Sequence, residues 1–163
     1  MNLTGNVMHD TIFPMKVHFG TDHAGFELKE YLREELAKDG YEVVDHGVYE
    51  YDPLDDYPAP CIACAQAVVD TPGSLGVVIG GSGNGEQISA NKVKGIRAIL
   101  AWNEDTAQLG REHNNANVIS IGARQHTKEE ALHLVKLFLE TPFSGNERHQ
   151  RRINQIADYE DKR

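Results

Sequence analysis

Short β-branched runs alternate with amphipathic helical windows along the chain. Lys16-Val-His-Phe-Gly-Thr21 reads as a first strand. Gly25 to Lys38 then spaces Phe26, Leu28, Tyr31, Leu32, Leu36 and Ala37 close to helical intervals, with charge between them. Asp39-Gly40 stops that helix, and Tyr41-Glu-Val-Val-Asp45 resumes extended structure. Glu50 to Pro60 is acidic, carries three prolines and reads as loop. Cys61 to Val69 is predicted to be a short helix ended by Asp70-Thr-Pro-Gly73. Leu75-Gly-Val-Val-Ile79 is a continuous apolar run of the kind buried on both faces of a parallel sheet. It feeds into the loop Gly80-Gly-Ser-Gly-Asn-Gly85 and a helix through Lys92. Ile96 to Trp102 is a fourth strand, with a helix to about Arg111, and Asn117 to Ile121 is a fifth. Thr127-Lys-Glu-Glu130 is a capping box opening a helix that stops before Pro142. A final polar helix covers about Asn146 to Glu160.

Five strands alternating with helices, without repeats, predict a three-layer α/β domain over 15–163. Its core is a doubly wound, Rossmann-like parallel sheet, extended by the C-terminal helix. Residues 1–14 fall outside the pattern and read as an N-terminal extension. The chain has 163 residues, 40% hydrophobic and 25% charged, the proportions of one ordinary domain. Its net charge of −9 argues against a general partner in nucleic acid or an anionic membrane, so an anionic ligand needs a local cluster of cations. No apolar run approaches the ~18 residues of a membrane span, and Met1–Pro14 lacks the form of a signal peptide. A cytoplasmic location is the expectation. The pair Cys61 and Cys64 has redox spacing, but it lies inside an apolar helical run and reads as two small core residues.

Sheets of this kind bind ligands beyond the carboxyl ends of their strands. Asp22, His23 and Gly25 follow the first strand, the glycine loop and Glu86 the third, and Arg124 the fifth. Arg111, His113, Asn114 and Asn115 follow the fourth strand and its helix, and are expected at the same edge. Four glycines in six positions let main-chain amides point into one concavity that holds an anion or oxyanion. Neither nucleotide motif fits the loop, because Glu86 stands where a dinucleotide fingerprint needs Gly or Ala and a P-loop needs Lys. On position alone, Glu86 reads equally as a charge complement to a helix N-terminus, where the dipole favours its ionised form by ~0.3–1 kcal/mol. Facing backbone donors, it reads as a general base for proton abstraction beside a carbonyl, with the amides holding the enediolate oxygen. Arg148 and Arg152 lie one turn apart with Arg151 beside them, without interleaved carboxylates, and suit phosphate oxygens. His113 is a candidate acid or base. The remaining histidines show no zinc-type spacing, so no metal is expected.

Thr21-Asp-His-Ala-Gly25, Gly80 to Glu86, Ala90-Asn-Lys92, Arg111-Glu-His-Asn-Asn115 and Arg148-His-Gln-Arg-Arg152, in order, resemble the ribose/galactose phosphate isomerase family. The resemblance runs from about Lys16 to Tyr159. It implies an aldose–ketose isomerase interconverting ribose 5-phosphate and ribulose 5-phosphate through a cis-enediolate, without metal or cofactor. One branch of that family uses a cysteine in the glycine loop as base. Here Ser82 holds that position, and the sequence is similar to the other branch, whose glutamate corresponds to Glu86. By the same matching, His113 with Asp22 opens the furanose ring. Gly81, Gly83, Asn84 and Gly85 hold the enediolate with Ser82 and Asn114 nearby, and His23, Arg124, Arg148 and Arg152 bind phosphate. The resemblance also implies a dimer or tetramer with active sites shared between subunits. Two other readings stand beside it. One is a relative acting on another sugar, a 6-phosphohexose or free aldose, which cavity depth decides. The other is a non-enzymatic phosphate or flavin-binding module, for which the single Trp102 offers little aromatic lining.

Overall fold

The computed structural model describes residues 14–163, so the expected N-terminal extension lies outside the described residues except for Pro14. Five strands form one all-parallel sheet in the order β2-β1-β3-β5-β4. They are β1 (Lys16–Thr21), β2 (Glu42–Asp45), β3 (Leu75–Gly80), β4 (Ala98–Leu100) and β5 (Val118–Gly122). The chain winds outward from β1 to β2 and then crosses back to β3 on the other side. The loops after β1 and β3 therefore flank the point where winding reverses, the place where such sheets form a ligand crevice.

Six α-helices complete the layers: α1 (Phe26–Lys38), α2 (Pro58–Asp70), α3 (Asn84–Ala90), α4 (Glu104–Asn114), α5 (Lys128–Glu140) and α6 (Glu147–Glu160). One face of the sheet is covered by Leu28, Leu32 and Leu36 of α1, Ala107 of α4, and Leu134, Val135 and Phe138 of α5. The other packs on Cys61, Cys64, Ala65 and Val68 of α2 and Ala90 of α3. Every residue of β3 is buried, as its unbroken apolar run predicts for a strand covered on both faces. Each large aliphatic side chain taken fully out of water contributes about 1.5–3 kcal/mol. Both cysteines are free and buried in this second core. Burial pushes the Cys64 thiol up to about 12 and Cys61 further still, so the pair is core and not a reactive dithiol.

Several boundaries differ from the sequence expectation for definable reasons. Helix α2 starts at Pro58, inside the segment read as loop, because proline at the first helical turn lacks only an N–H that would be unpaired anyway. A 3₁₀ turn over His23–Gly25 precedes α1, capped by the Asp22 side chain accepting from the Ala24 amide. Strand β4 is three residues long, since only Ala98–Leu100 find a ladder on β5 at the sheet's edge. Helix α3 ends at Ala90, and α4 continues to Asn114, so His113 and Asn114 lie in its last turn. The capping box at Thr127 and Glu130 forms in both directions, at 3.1 and 2.8 Å. A second one at Asn103 and Thr106 opens α4.

Candidate active site

The glycine loop leaves β3 at Gly80 and enters α3 through Gly83, whose φ of +83° falls in the left-handed region that favours glycine. The loop is pinned to β5 and the segment after it. Ser120 Oγ donates to the Gly83 carbonyl at 2.6 Å, and the Ala123 and Arg124 amides donate to Gly80 and Gly81 carbonyls at 2.8 and 3.1 Å. These bonds engage the loop's carbonyls, and four glycines in six positions suit the segment to a nest of amides for an anion. The Arg124 guanidinium closes over Gly81, near enough that any side chain there would meet it. Tyr57, from the start of α2, lies against Gly85 in the same way. Ser82 and Asn84 are exposed on the rim, where the Asn84 side-chain amide donates to Ser82 Oγ at 3.2 Å.

Glu86 turns inward and is only 4% exposed, its carboxylate resting on Gly80. Burial pushes its carboxyl above the usual carboxylate range. Its own main-chain N–H opposes that shift, and the charge of nearby Asp22 adds to it. Glu86 does stand in the first turn of a seven-residue helix, and the net direction there is set by burial. A carboxyl raised toward neutrality beside main-chain donors is what a general base working at neutral pH requires.

Asp22 and His23 stand at the end of β1, next to this loop. Asp22 is buried, and His23 is half-buried with Nδ1 2.7 Å from Asp55 Oδ1. Donor atoms of Asp22, His23 and Asp55 lie within 4.8 Å of one another, close enough to hold a metal ion. The sequence reading missed Asp55, which sits 32 residues from His23 in a segment whose acidic character alone gave no signal.

The remaining expected site residues are elsewhere. Helix α4 runs back along the sheet, ~16 Å for its eleven residues, and delivers His113 and Asn114 to the strands' amino ends. There Arg97, just before β4, donates to the Asn114 carbonyl at 3.0 Å. Their expected place at the carboxyl edge is therefore corrected, because the helix following β4 is long enough to cross the whole sheet. Helix α6 joins them. His149 is buried with its ring 4.2 Å from that of His113, and Ser144 Oγ sits 2.9 Å from its Nδ1. Arg152 lines a cavity of about 240 Å³ with Asn114, Arg97 and Ile153. The view that the α6 arginines lack carboxylate partners needs a second correction: Arg151 pairs with Glu147 at 3.2 Å. Arg148 and Arg152 are exposed and take no carboxylate among the described residues. The expected site residues thus fall into two groups, the carboxylates, glycine loop and Arg124 at one edge of the sheet, and His113, Asn114, Arg148 and Arg152 at the other.

No helix among the described residues is long and apolar enough to cross a membrane. A family model described as Ribose/Galactose Isomerase matches residues 17–156. The ribose-5-phosphate isomerase B of Mycobacterium tuberculosis is 58% identical over 146 residues, covering 90% of each chain. The solved ribose-5-phosphate isomerase B of Clostridium thermocellum superposes with a TM-score of 0.87 at 40% identity, covering 91% of this chain and 99% of that one. That of Mycoplasma genitalium, solved with bound ribulose-5-phosphate, gives 0.87 at 39%, covering 91% and 98%. Fold, buried glutamate, glycine loop and full-length similarity together place this chain in the ribose/galactose isomerase family.

Proposed function

We propose that this protein interconverts ribose 5-phosphate and ribulose 5-phosphate, with Glu86 as the base that moves the proton. The observation that carries the assignment of Glu86 is its burial against Gly80, at the mouth of a loop of main-chain donors and with a raised carboxyl pKa. The relative from Mycoplasma genitalium, of the same fold, holds ribulose-5-phosphate.

In the open-chain aldose, Glu86 takes the proton from C2. The C–H electrons form a C1–C2 double bond, and the carbonyl π electrons move onto O1, giving an enediolate. The amides of Gly81 to Gly85, with Ser82 and Asn84 at the rim, hold that oxygen. Protonated Glu86 returns its proton to C1 while a proton passes from O2 to O1. C2 becomes the ketone and C1 the alcohol, so oxidation and reduction balance within the substrate. Asp22, beside Glu86, and His113 assist the opening of the furanose ring. His23 and Arg124 hold the phosphate from the carboxyl edge, and Arg148 and Arg152 complete its charge.

The two groups, read as half-sites, lie at opposite edges of one sheet, so a second copy supplies His113, Asn114, Arg148 and Arg152 to the Glu86 half. The length of α4 supports that reading: no side-chain rotation brings groups separated by eleven helical residues into contact.

The test is turnover of ribose 5-phosphate by Glu86→Gln, which keeps the shape and removes the base. Loss of the base costs about 10²–10⁴ in kcat. A near-normal kcat would remove Glu86 from the mechanism. Arg148→Ala and Arg152→Ala raise KM with a smaller change in kcat, because phosphate is held in ground and transition states alike.

A further inference from the structure

We propose that Asp55 is a positioning residue for the isomerisation, fixing the imidazole of His23 so that its Nε2 faces the substrate's phosphate. This rests on the assignment of His23 to the phosphate.

A single oxygen of Asp55 meets His23 twice, accepting from its main-chain N–H at 2.9 Å and lying 2.7 Å from ring Nδ1. The double contact fixes both the backbone entering the 3₁₀ turn and the rotation of the ring. Nδ1–H is committed to the carboxylate, and Nε2 is the nitrogen left for a ligand. The Asp55 side chain is 12% exposed, so water screens the pair little.

The loop carrying Asp55 is built for delivery. Asp52 Oδ1 accepts from the Leu54 amide at 2.9 Å, and the Asp55 amide donates to the Asp52 carbonyl at 3.2 Å. This turn points Asp55 inward while Leu54 and Asp56 stay exposed. The Tyr51 ring meets the His23 ring edge-on at 6.3 Å and packs on Phe26 at 6.4 Å, covering its other side. The second Asp55 oxygen is buried and takes no hydrogen bond from another side chain or amide among the described residues.

The experiment is a double-mutant cycle on KM and kcat for ribose 5-phosphate, using the full chain. Asp55→Ala is expected to raise KM about tenfold with a much smaller change in kcat, the scale of one charge-assisted hydrogen bond. Asp55→Asn, whose amide oxygen still accepts both N–H groups, is expected to fall between. In a His23→Ala background Asp55→Ala is expected to change KM far less, because the ring is gone and only the main-chain contact remains. An unchanged KM in Asp55→Ala alongside a raised KM in His23→Ala overturns the role of Asp55, as do effects that simply multiply in the double variant. An unchanged KM in both single variants instead overturns the assignment of His23 to the phosphate.

Discussion

The carboxylate of Glu86 occupies the space that a side chain on Gly80 would fill. Gly80 is the last residue of β3, locked there by the Ala123 amide on its carbonyl. Its missing Cβ leaves the pocket in which that carboxylate sits, so strand and side chain are fitted to each other.

Gly80→Ala is therefore expected to displace Glu86 and lower kcat by at least ~10²-fold, with KM for ribose 5-phosphate changed less. Overpacking at a buried strand end costs about 1–3 kcal/mol, so the variant still folds. Steady-state kinetics and a urea titration on the same preparation separate the two effects. Full activity in Gly80→Ala would show that the carboxylate does not need its seat.

A pair of histidines is expected to weaken the fold in acid. His18 on β1 is buried, with Nδ1 2.9 Å from His46 Nε2. Burial lowers both pKa values below the ordinary 6.5. For His18, the neighbouring His46 and Lys16 push further down, while Glu42 pushes up; for His46, Asp45 pushes up. Below pH 6.5 the unfolded chain binds protons that the folded one refuses. Their stabilisation is thus present above that pH and is lost as pH falls through the depressed folded values. Tm is expected to drop between pH 6.5 and 5, and the drop to shrink in His18→Leu. An equal slope in that variant would assign the acid loss to other groups.

Placing the two half-sites on different chains predicts complementation. Glu86→Gln spoils one half-site and His113→Ala the other, so each variant alone is nearly inactive. Unfolded together in equal amounts and refolded, random pairing makes half of the dimers hybrids, each with one intact site of two. Activity is expected to recover to about a quarter of the parent's. Absence of recovery, with hybrids verified by mass spectrometry, would put both halves on one chain.

The fold was legible because its signals are local. The unbroken apolar run of β3 needs burial on both faces, and the Thr127 and Glu130 pair encodes its helix start within four residues. Glu86 was legible because it contradicts two phosphate motifs at the one position where both need something else. Distance was not legible. Which edge receives His113 depends on how far α4 runs past Arg111, and a helix end is weakly encoded until Asn115 adopts φ +44°. Asp55 was hidden in an acidic loop whose one inward residue is chosen by a turn at Asp52. Lys29 is fully buried against Asp45 at 2.8 Å, a pairing no local pattern signals, because β2 brings that carboxylate over α1. In each case the partner lies far off in sequence, where periodicity carries no information.

The assignment of Glu86 is tested most directly by proton exchange. Ribose 5-phosphate incubated with the protein in D₂O is followed by NMR at C1 and C2, for the parent and for Glu86→Gln. With the protonated Glu86 carboxyl exchanging with solvent between the two transfers, the account predicts deuterium entering both positions in the parent and neither exchange nor turnover above background in Glu86→Gln. Exchange at C2 continuing at the parent rate in Glu86→Gln would contradict it, for another group would then be removing the proton.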